Sequence, residues 1–419
     1  MAVYIHKSKV SGNINVPPSK SLSHRALLAS LLAEGETKIY NLLDCEDTRA
    51  TISIMEKLGK SVVKKEGYHL VQNNGFKYNN EVLNANESGS TLRFIIPILS
   101  LFTGKHYITG TKKLLSRPLQ VYQEIYDKQN LKFNLTPEML EVDGKLSSGK
   151  YSVRGDVSSQ FITGLMYTLP LLNGDSIIEI TGNYESKSYV DLTIEVLKHF
   201  SVEIKQLENN CYFVKGSQKY ISKDYYVPGD YSQMAFWAVL GTINNNLTIS
   251  GMNAESLQGD KMIVDILSSC SNNIEFCNGI YNVKKANVKK LDIDLAEIPD
   301  LGPILGVLCS VSCEKSRLFN AYRLRYKESD RLTAIYEELS KMNVKAKIVD
   351  DSLIIESSNE IKCLEEIDSH NDHRIFMALA VLGTISENGV RINDERCINK
   401  SYPDFLKDLQ GLGVQVDYE

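Results

Sequence analysis

Residues 18–42, PSKSLSHRALLASLLAEGETKIYNL, decide how the chain is read. The stretch opens on a short polar motif and runs through helix-length apolar text. It then turns at Glu34-Gly35 and closes on alternating residues of strand character. The same grammar returns at 87–110 (ESGSTLRFIIPILSLFTGKHYITG), 158–182 (SSQFITGLMYTLPLLNGDSIIEITG), 229–251 (GDYSQMAFWAVLGTINNNLTISG), 299–321 (PDLGPILGVLCSVSCEKSRLFNA) and 371–394 (NDHRIFMALAVLGTISENGVRIND). Anchored at Ser19, Ser88, Ser158, Asp230, Asp300 and Asn371, the copies are spaced by 69, 70, 72, 70 and 71 residues. A period near 70 that holds along the chain marks six copies of one supersecondary unit.

Each copy continues into a second, more amphipathic helical pattern and strand-like text. In DRLTAIYEELSKMNVKAKIVDDSLIIES, Leu332, Ile335, Leu339 and Met342 recur at helical spacing, and VKAKIV and SLIIES read as strands. The unit is therefore β-α-β-α-β-β. The last copy has only 49 residues, 371–419, and the 18 residues before the first anchor are strand-like. The N-terminal strands are thus expected to pair with the C-terminal half and supply the closing strands it lacks. Six units divide three and three, giving lobes 19–229 and 1–18 plus 230–419, with chain crossings near Pro18 and Gly229 and a cleft between the lobes.

Composition narrows the class. The 419 residues carry 43% hydrophobic and 24% charged side chains with a net charge of −5, which suits a globular protein and argues against a general nucleic-acid binder. Apolar runs such as FIIPILSLF are too short to span a bilayer, and the N-terminus has no secretory apolar region. Eight cysteines without a CxxC pair or a zinc-type set point to a cytoplasmic chain without a structural metal. No cofactor is expected, and small molecules are the expected partners of a monomer.

YKESDR, residues 326–331, puts two cations and two carboxylates within six positions. It reads either as a solvated helix face or as a site needing both signs of charge; if 327–331 is helical, Lys327 and Arg331 lie one turn apart. The repeat favours the site. YKESDR starts the fifth unit's second helix, 27 residues past the anchor, and other units place EDTR, LSRPL, ESKSY and NKSYPD at nearly the same offset. Each unit thus offers two helix N-termini, whose unpaired N–H groups favour anions. With Lys20, Arg25, Arg117, Lys327, Arg331, Arg374 and Lys400 beside them, a polyanion is the expected ligand.

At these residues the chain resembles the 5-enolpyruvylshikimate-3-phosphate synthase family of enolpyruvyl transferases. PPSKSLSHRALLASLLAEG, SGSTLRF, LSRPL, SSQFITGLM, IPDLGPI, YKESDRL, NDHRIFMA and KSYPDF follow in the family's order over nearly the whole chain. The resemblance implies a two-lobed inverse α/β barrel of the EPT/RTPC-like type. It also implies a metal-free reaction in which shikimate 3-phosphate and phosphoenolpyruvate give the enolpyruvyl ether and phosphate, the sixth step toward chorismate.

By the same resemblance, Lys20, Ser21, Arg25, Ser158, Ser159, Gln160, Ser186, Tyr189, Asp300 and Lys327 are expected on shikimate 3-phosphate. Lys20, Gly89, Arg117, Gln160, Arg331, Arg374 and Lys400 are expected on phosphoenolpyruvate. Arg forks suit the phosphates and carboxylates of both substrates. Adding a hydroxyl to C2 while protonating C3 needs a base and an acid, assigned to Asp300 and Glu328, with Lys20 stabilising charge. Arg93 and His373 are expected to support these residues from behind. Where the family usually reads Asn-(Ala or Ser)-Gly-Thr, this chain reads Glu87-Ser88-Gly89-Ser90, so no contact is carried over to residue 87, and no role is given to Arg323.

Plainer roles stand beside these. Asp300 could also serve only as a helix N-cap and His373 as a structural histidine, while Asp47 with Arg49 reads as a surface ion pair. UDP-N-acetylglucosamine enolpyruvyltransferases share fold and donor but carry a cysteine shortly before their Arg-Pro motif, where this chain has TGTKKLLS. A six-unit clamp around nucleic acid would need neither Asp300 nor Glu328.

Overall fold

The computed structural model describes all of residues 1–419 except 74, 79, 80, 209 and 359. Two kinds of element build every repeat. The first helix of each unit is apolar nearly all round, as in Tyr231–Ile243, where all 13 residues are buried, and His373–Gly383, where all 11 are. A helix without a polar face has to lie inside. The strands alternate instead, Glu36–Tyr40 exposing Glu36 and Lys38 while burying Thr37 and Ile39. A sheet with one wet face lies outside, which makes each half of the chain an inverse barrel of helices within sheets.

The third unit shows the pattern in full. Lys150–Arg154 runs parallel to Ser176–Thr181 across the helix Ser159–Thr168, and the helix Lys187–His199 leads into Ile204–Gln206 and Cys211–Val214. Cys211–Val214 lies between Ile204–Gln206 and Ser176–Thr181, antiparallel to both. The second and fifth units repeat this order with Leu83–Asn84 and Asp292–Asp294 as opening strands.

Contacts divide the chain into Pro18–Pro228 and Met1–Pro17 with Gly229–Glu419, each with its own apolar core. Each closes on itself with a strand from its far end. Tyr225–Tyr226 runs parallel to Glu36–Tyr40 and opens the first unit's sheet, while Asn13–Asn15 does the same for the fourth unit beside Leu247–Ser250. Val3–Ile5 completes the sixth sheet, antiparallel to both Val390–Ile392 and Val416–Tyr418. The expectation of a last unit without closing strands is therefore corrected: it keeps Val416–Tyr418, borrows only Val3–Ile5, and the second N-terminal strand serves the fourth unit.

A second periodic feature is a left-handed residue after each unit's amphipathic helix: Gly59, Asn130, Ser201, Asn272, Asn343 and Gly413. Positive φ there turns the chain from helix to strand, the usual work of Gly or Asn. Ser201, at φ 66°, fills the position with a residue that pays for the conformation.

Two measurements check this architecture. Ile5 is fully buried between two strands of the far end of the chain, so Ile5→Ala should lower the urea-unfolding stability by about 2–5 kcal/mol. A change within about 0.5 kcal/mol, the size expected of a surface residue, would dissolve the strand assignment. Ser201→Gly should raise stability by about 0.5–1 kcal/mol by relieving the left-handed penalty.

Candidate active site

Five of the six buried helices begin under a side-chain cap. Ser19, Ser88 and Ser158 accept from the N–H groups of Leu22, Thr91 and Gln160, Asp230 from Ser232 and Gln233, and Asp372 from Arg374. In the last unit the capping residue is Asp372, one residue past the expected anchor. The fifth unit breaks the pattern. Asp300 sits in the 3-10 turn Pro299–Leu301, and the helix Gly302–Ser310 that follows has no side-chain cap. The carboxylate of Asp300 faces cations instead, so the N-cap role is set aside.

Those cations come from YKESDR and NDHR. Asp300 Oδ1 accepts from Lys327 Nζ at 3.0 Å and Arg331 Nη1 at 2.9 Å, and Oδ2 lies 3.5 Å from Arg374 Nη2. Residues 327–331 are not one helix: Tyr322–Tyr326 is a 3-10 turn, Asp330 caps, and the helix Arg331–Lys341 starts at Arg331. Lys327 and Arg331 meet through Asp300, not through helical spacing. The buried Arg331 guanidinium also donates to Glu328 Oε2 at 2.7 Å and to Asp372 at 2.8 and 3.2 Å. Lys400 donates to the Asn371 carbonyl at 2.6 Å, and His373 Nδ1 lies 4.0 Å from Asp372.

The electrostatics follow from this packing. Burial alone would raise the proton affinity of Asp300, but Arg374, Lys327 and Arg331 outweigh it and hold the acid well below its usual range. Burial likewise pulls against Asp372, which Arg331 brings down to about 2. Lys327 is lowered by burial, with Asp300 opposing.

The other unit gathers the remaining expected residues. Gly89 opens the helix Gly89–Leu99, and a Cβ there would stand 3.0 Å from Arg117 Nη1, 3.5 Å from Arg93 Nη1 and 3.7 Å from Gln160 Oε1. Arg93 orients Gln160 by donating to its Oε1 at 2.7 Å, and Gln160 Nε2 donates to Ser90 at 3.0 Å. Arg25 is buried and donates to the carbonyls of Ser21 (2.9 Å) and Tyr189 (2.8 Å) and to Thr193 Oγ1 (3.0 Å). Ser186 stands at the N-cap of Lys187–His199 in a left-handed turn. Lys20 Nζ donates to Asp47 at 2.7 Å, while Arg49 pairs with Asp44. The expected Asp47–Arg49 surface pair is thus replaced by a carboxylate that holds Lys20.

A family model described as EPSP synthase (3-phosphoshikimate 1-carboxyvinyltransferase) matches residues 5–409. The chain belongs to this family. It is an enzyme of the enolpyruvyl transferase kind. A 3-phosphoshikimate 1-carboxyvinyltransferase of Clostridium novyi (strain NT) is 43% identical over 99% of this chain and 98% of its own length. One of Clostridioides difficile (strain 630) is 40% identical with the same coverage. The solved EPSP synthase of Acinetobacter baumannii shares the fold, with a TM-score of 0.81, 22% identity and 100% of both chains covered.

The site holds residues that motif reading passed over. Asp372 stands beside the Asn371 anchor, and its capping position before an apolar run was the signal that marked it. Asp47 has no such signal. Apart from these groups, Glu337, Glu338 and His370 have donor atoms within 4.8 Å of one another. Both Glu338 oxygens already accept from Lys341 Nζ at 2.9 Å, and His370 Nε2 lies 2.8 Å from Oε1. The hydrogen bond to Glu338 raises the His370 pKa above 6.5. A raised histidine stabilises the fold fully below its unfolded value of 6.5, and the contribution is lost as pH rises through the folded value. His370→Asn should therefore lower Tm more at pH 6 than at pH 8.5; an equal loss at both would show that the imidazole charge contributes nothing.

Proposed function

We infer that the protein transfers the enolpyruvyl group of phosphoenolpyruvate to the 5-hydroxyl of shikimate 3-phosphate and releases inorganic phosphate. The observation that carries the residue roles is Asp300, whose carboxylate caps no helix and instead gathers Lys327, Arg331 and Arg374.

In this reading Asp300 takes the hydroxyl proton as the oxygen bonds to C2 of phosphoenolpyruvate, while Glu328 delivers a proton to C3. Elimination then breaks the C2–O bond to phosphate, which leaves with the proton taken from the hydroxyl, returns a C3 proton to Glu328 and restores the double bond. An acid held well below its usual range is a weak base while three cations face it. Substrate anions that take over Arg374 and Lys327 raise its proton affinity at the moment it is needed.

Lys20, held by Asp47, stabilises charge and assists phosphate departure. Arg117, Arg331, Arg374 and Lys400, with Gly89 leaving room beside Arg117, receive phosphoenolpyruvate. Ser21, Arg25, Ser158, Ser159, Ser186, Tyr189 and Lys327 receive shikimate 3-phosphate, and Gln160, oriented by Arg93, serves both. His373 supports Arg374 from the adjacent position. We also propose that the enzyme works as a cytoplasmic monomer; its eight cysteines are free thiols, and no described helix is long and apolar enough to cross a membrane.

The test is phosphate release from phosphoenolpyruvate by the purified protein in the presence of a chelator. Release is expected with shikimate 3-phosphate as acceptor and not with UDP-N-acetylglucosamine; the opposite result would overturn the acceptor. Asp300→Asn should lower kcat by about 10²–10⁴-fold. A variant within twofold of wild type would remove Asp300 from the chemistry.

A further inference from the structure

The fourth unit contributed nothing to the expected site at its second-helix position, yet the structure puts a buried carboxylate there. Asp260 lies in the turn Gly259–Lys261, 2% exposed, against the first turn of Tyr231–Ile243. Ser232 Oγ, on that helix, donates to Oδ2, while Oδ1 is buried and has no hydrogen-bond partner among the described residues. The neighbours that bear charge do not compensate it. Lys261, next in the chain, turns its amine to the Ala254 carbonyl, and Asp265 on the following helix is exposed. Asp230 caps Tyr231–Ile243 and Asp300 stands on the turn packed against it, and both repel a charge on Asp260. Arg374, on the packed helix His373–Gly383, attracts one but already faces Asp300.

We propose that Asp260 is a positioning residue for the anion-binding cations: it binds a proton as substrate anions fill the site, and so leaves Arg374 to the substrate. This rests on the reaction assigned above. A buried carboxyl without an ion-pair partner gives up its charge rather than keep it in a poorly solvating interior. Burial, then Asp300, pushes its pKa up to about 7, with Arg374 opposing, so the proton is exchangeable near neutral pH. Above that value Asp260 is anionic, competes for Arg374 and repels phosphoenolpyruvate; below it the acid is neutral and does neither. By linkage, an anion that occupies Arg374 draws a proton from solution onto Asp260.

The test is the pH dependence of KM for phosphoenolpyruvate between pH 6 and 8.5, in wild type and in Asp260→Asn, whose amide imitates the protonated acid. Ionisation of the substrate affects both proteins alike, so the ratio of their KM values isolates Asp260. The wild-type to variant ratio should be near one at pH 6 and rise by up to about tenfold at pH 8.5, with the kcat ratio flat. Ser232→Ala, which removes the donor that favours the ionised form, should move the wild-type rise to higher pH. A KM ratio constant with pH, or a Ser232→Ala profile that matches wild type, would overturn the proposal. Should Asp260→Asn fail to fold, the Ser232→Ala shift decides alone. Wild-type protein that releases no phosphate with shikimate 3-phosphate counts against the assigned reaction and thereby removes the basis of this proposal, whereas an active enzyme with a flat ratio counts against Asp260 alone.

Discussion

The buried guanidinium of Arg331 ties the fifth and sixth repeats together. It is 1% exposed and reaches three carboxylates, Asp300, Glu328 and Asp372, at 2.7–2.9 Å. Burying one cation costs on the order of several kcal/mol, and truncating any partner leaves part of that cost uncovered. Each partner also has a second task. Asp372 caps the helix that carries Arg374, Asp300 collects Lys327 and Arg374, and Glu328 precedes the helix that Arg331 begins. The geometry of the cations is therefore set by carboxylates before any substrate arrives.

Such pre-assembly suits an enzyme whose two substrates are both anions. Cations packed together without counter-charges would repel one another in a poorly solvated site. Asp300 and Asp372 supply those counter-charges and hold Arg331 in register. The first half of the chain uses the same device more sparingly: Asp47 holds Lys20, and Arg93 holds the amide of Gln160.

Much of this was legible in the sequence because the repeat amplifies weak signals. One Ser before an apolar run says little, but six anchors about 70 residues apart define units, helices and the helix starts that carry Lys20, Arg117, Arg331 and Arg374. Leu332, Ile335, Leu339 and Met342, read as one helical face, are all buried. What stayed hidden is what depends on tertiary placement. Asp47 gives no local hint that it faces Lys20 rather than Arg49. Asp260 stands next to Lys261 in the chain, which reads as an ordinary charged turn, so its burial against Ser232 has no pattern to announce it. The left-handed turns at Gly59, Asn130, Ser201, Asn272, Asn343 and Gly413 recur every 70–71 residues, yet three residue types share the position and mask the period. The borrowed strands were foreseen only in outline, because register within a sheet depends on neighbours distant in sequence.

In the proposed reaction the carboxylates of this cluster stand where substrate anions compete for the same cations. A crystal structure with shikimate 3-phosphate and inorganic phosphate, a pair that cannot turn over, tests it most directly. A ligand anion is expected on Arg374, with the Arg374–Asp300 separation opened beyond the present 3.5 Å and Arg331 still bound to Asp372. Anions bound away from Arg331, Arg374 and Lys400, with Asp300 keeping all three cations, would contradict it.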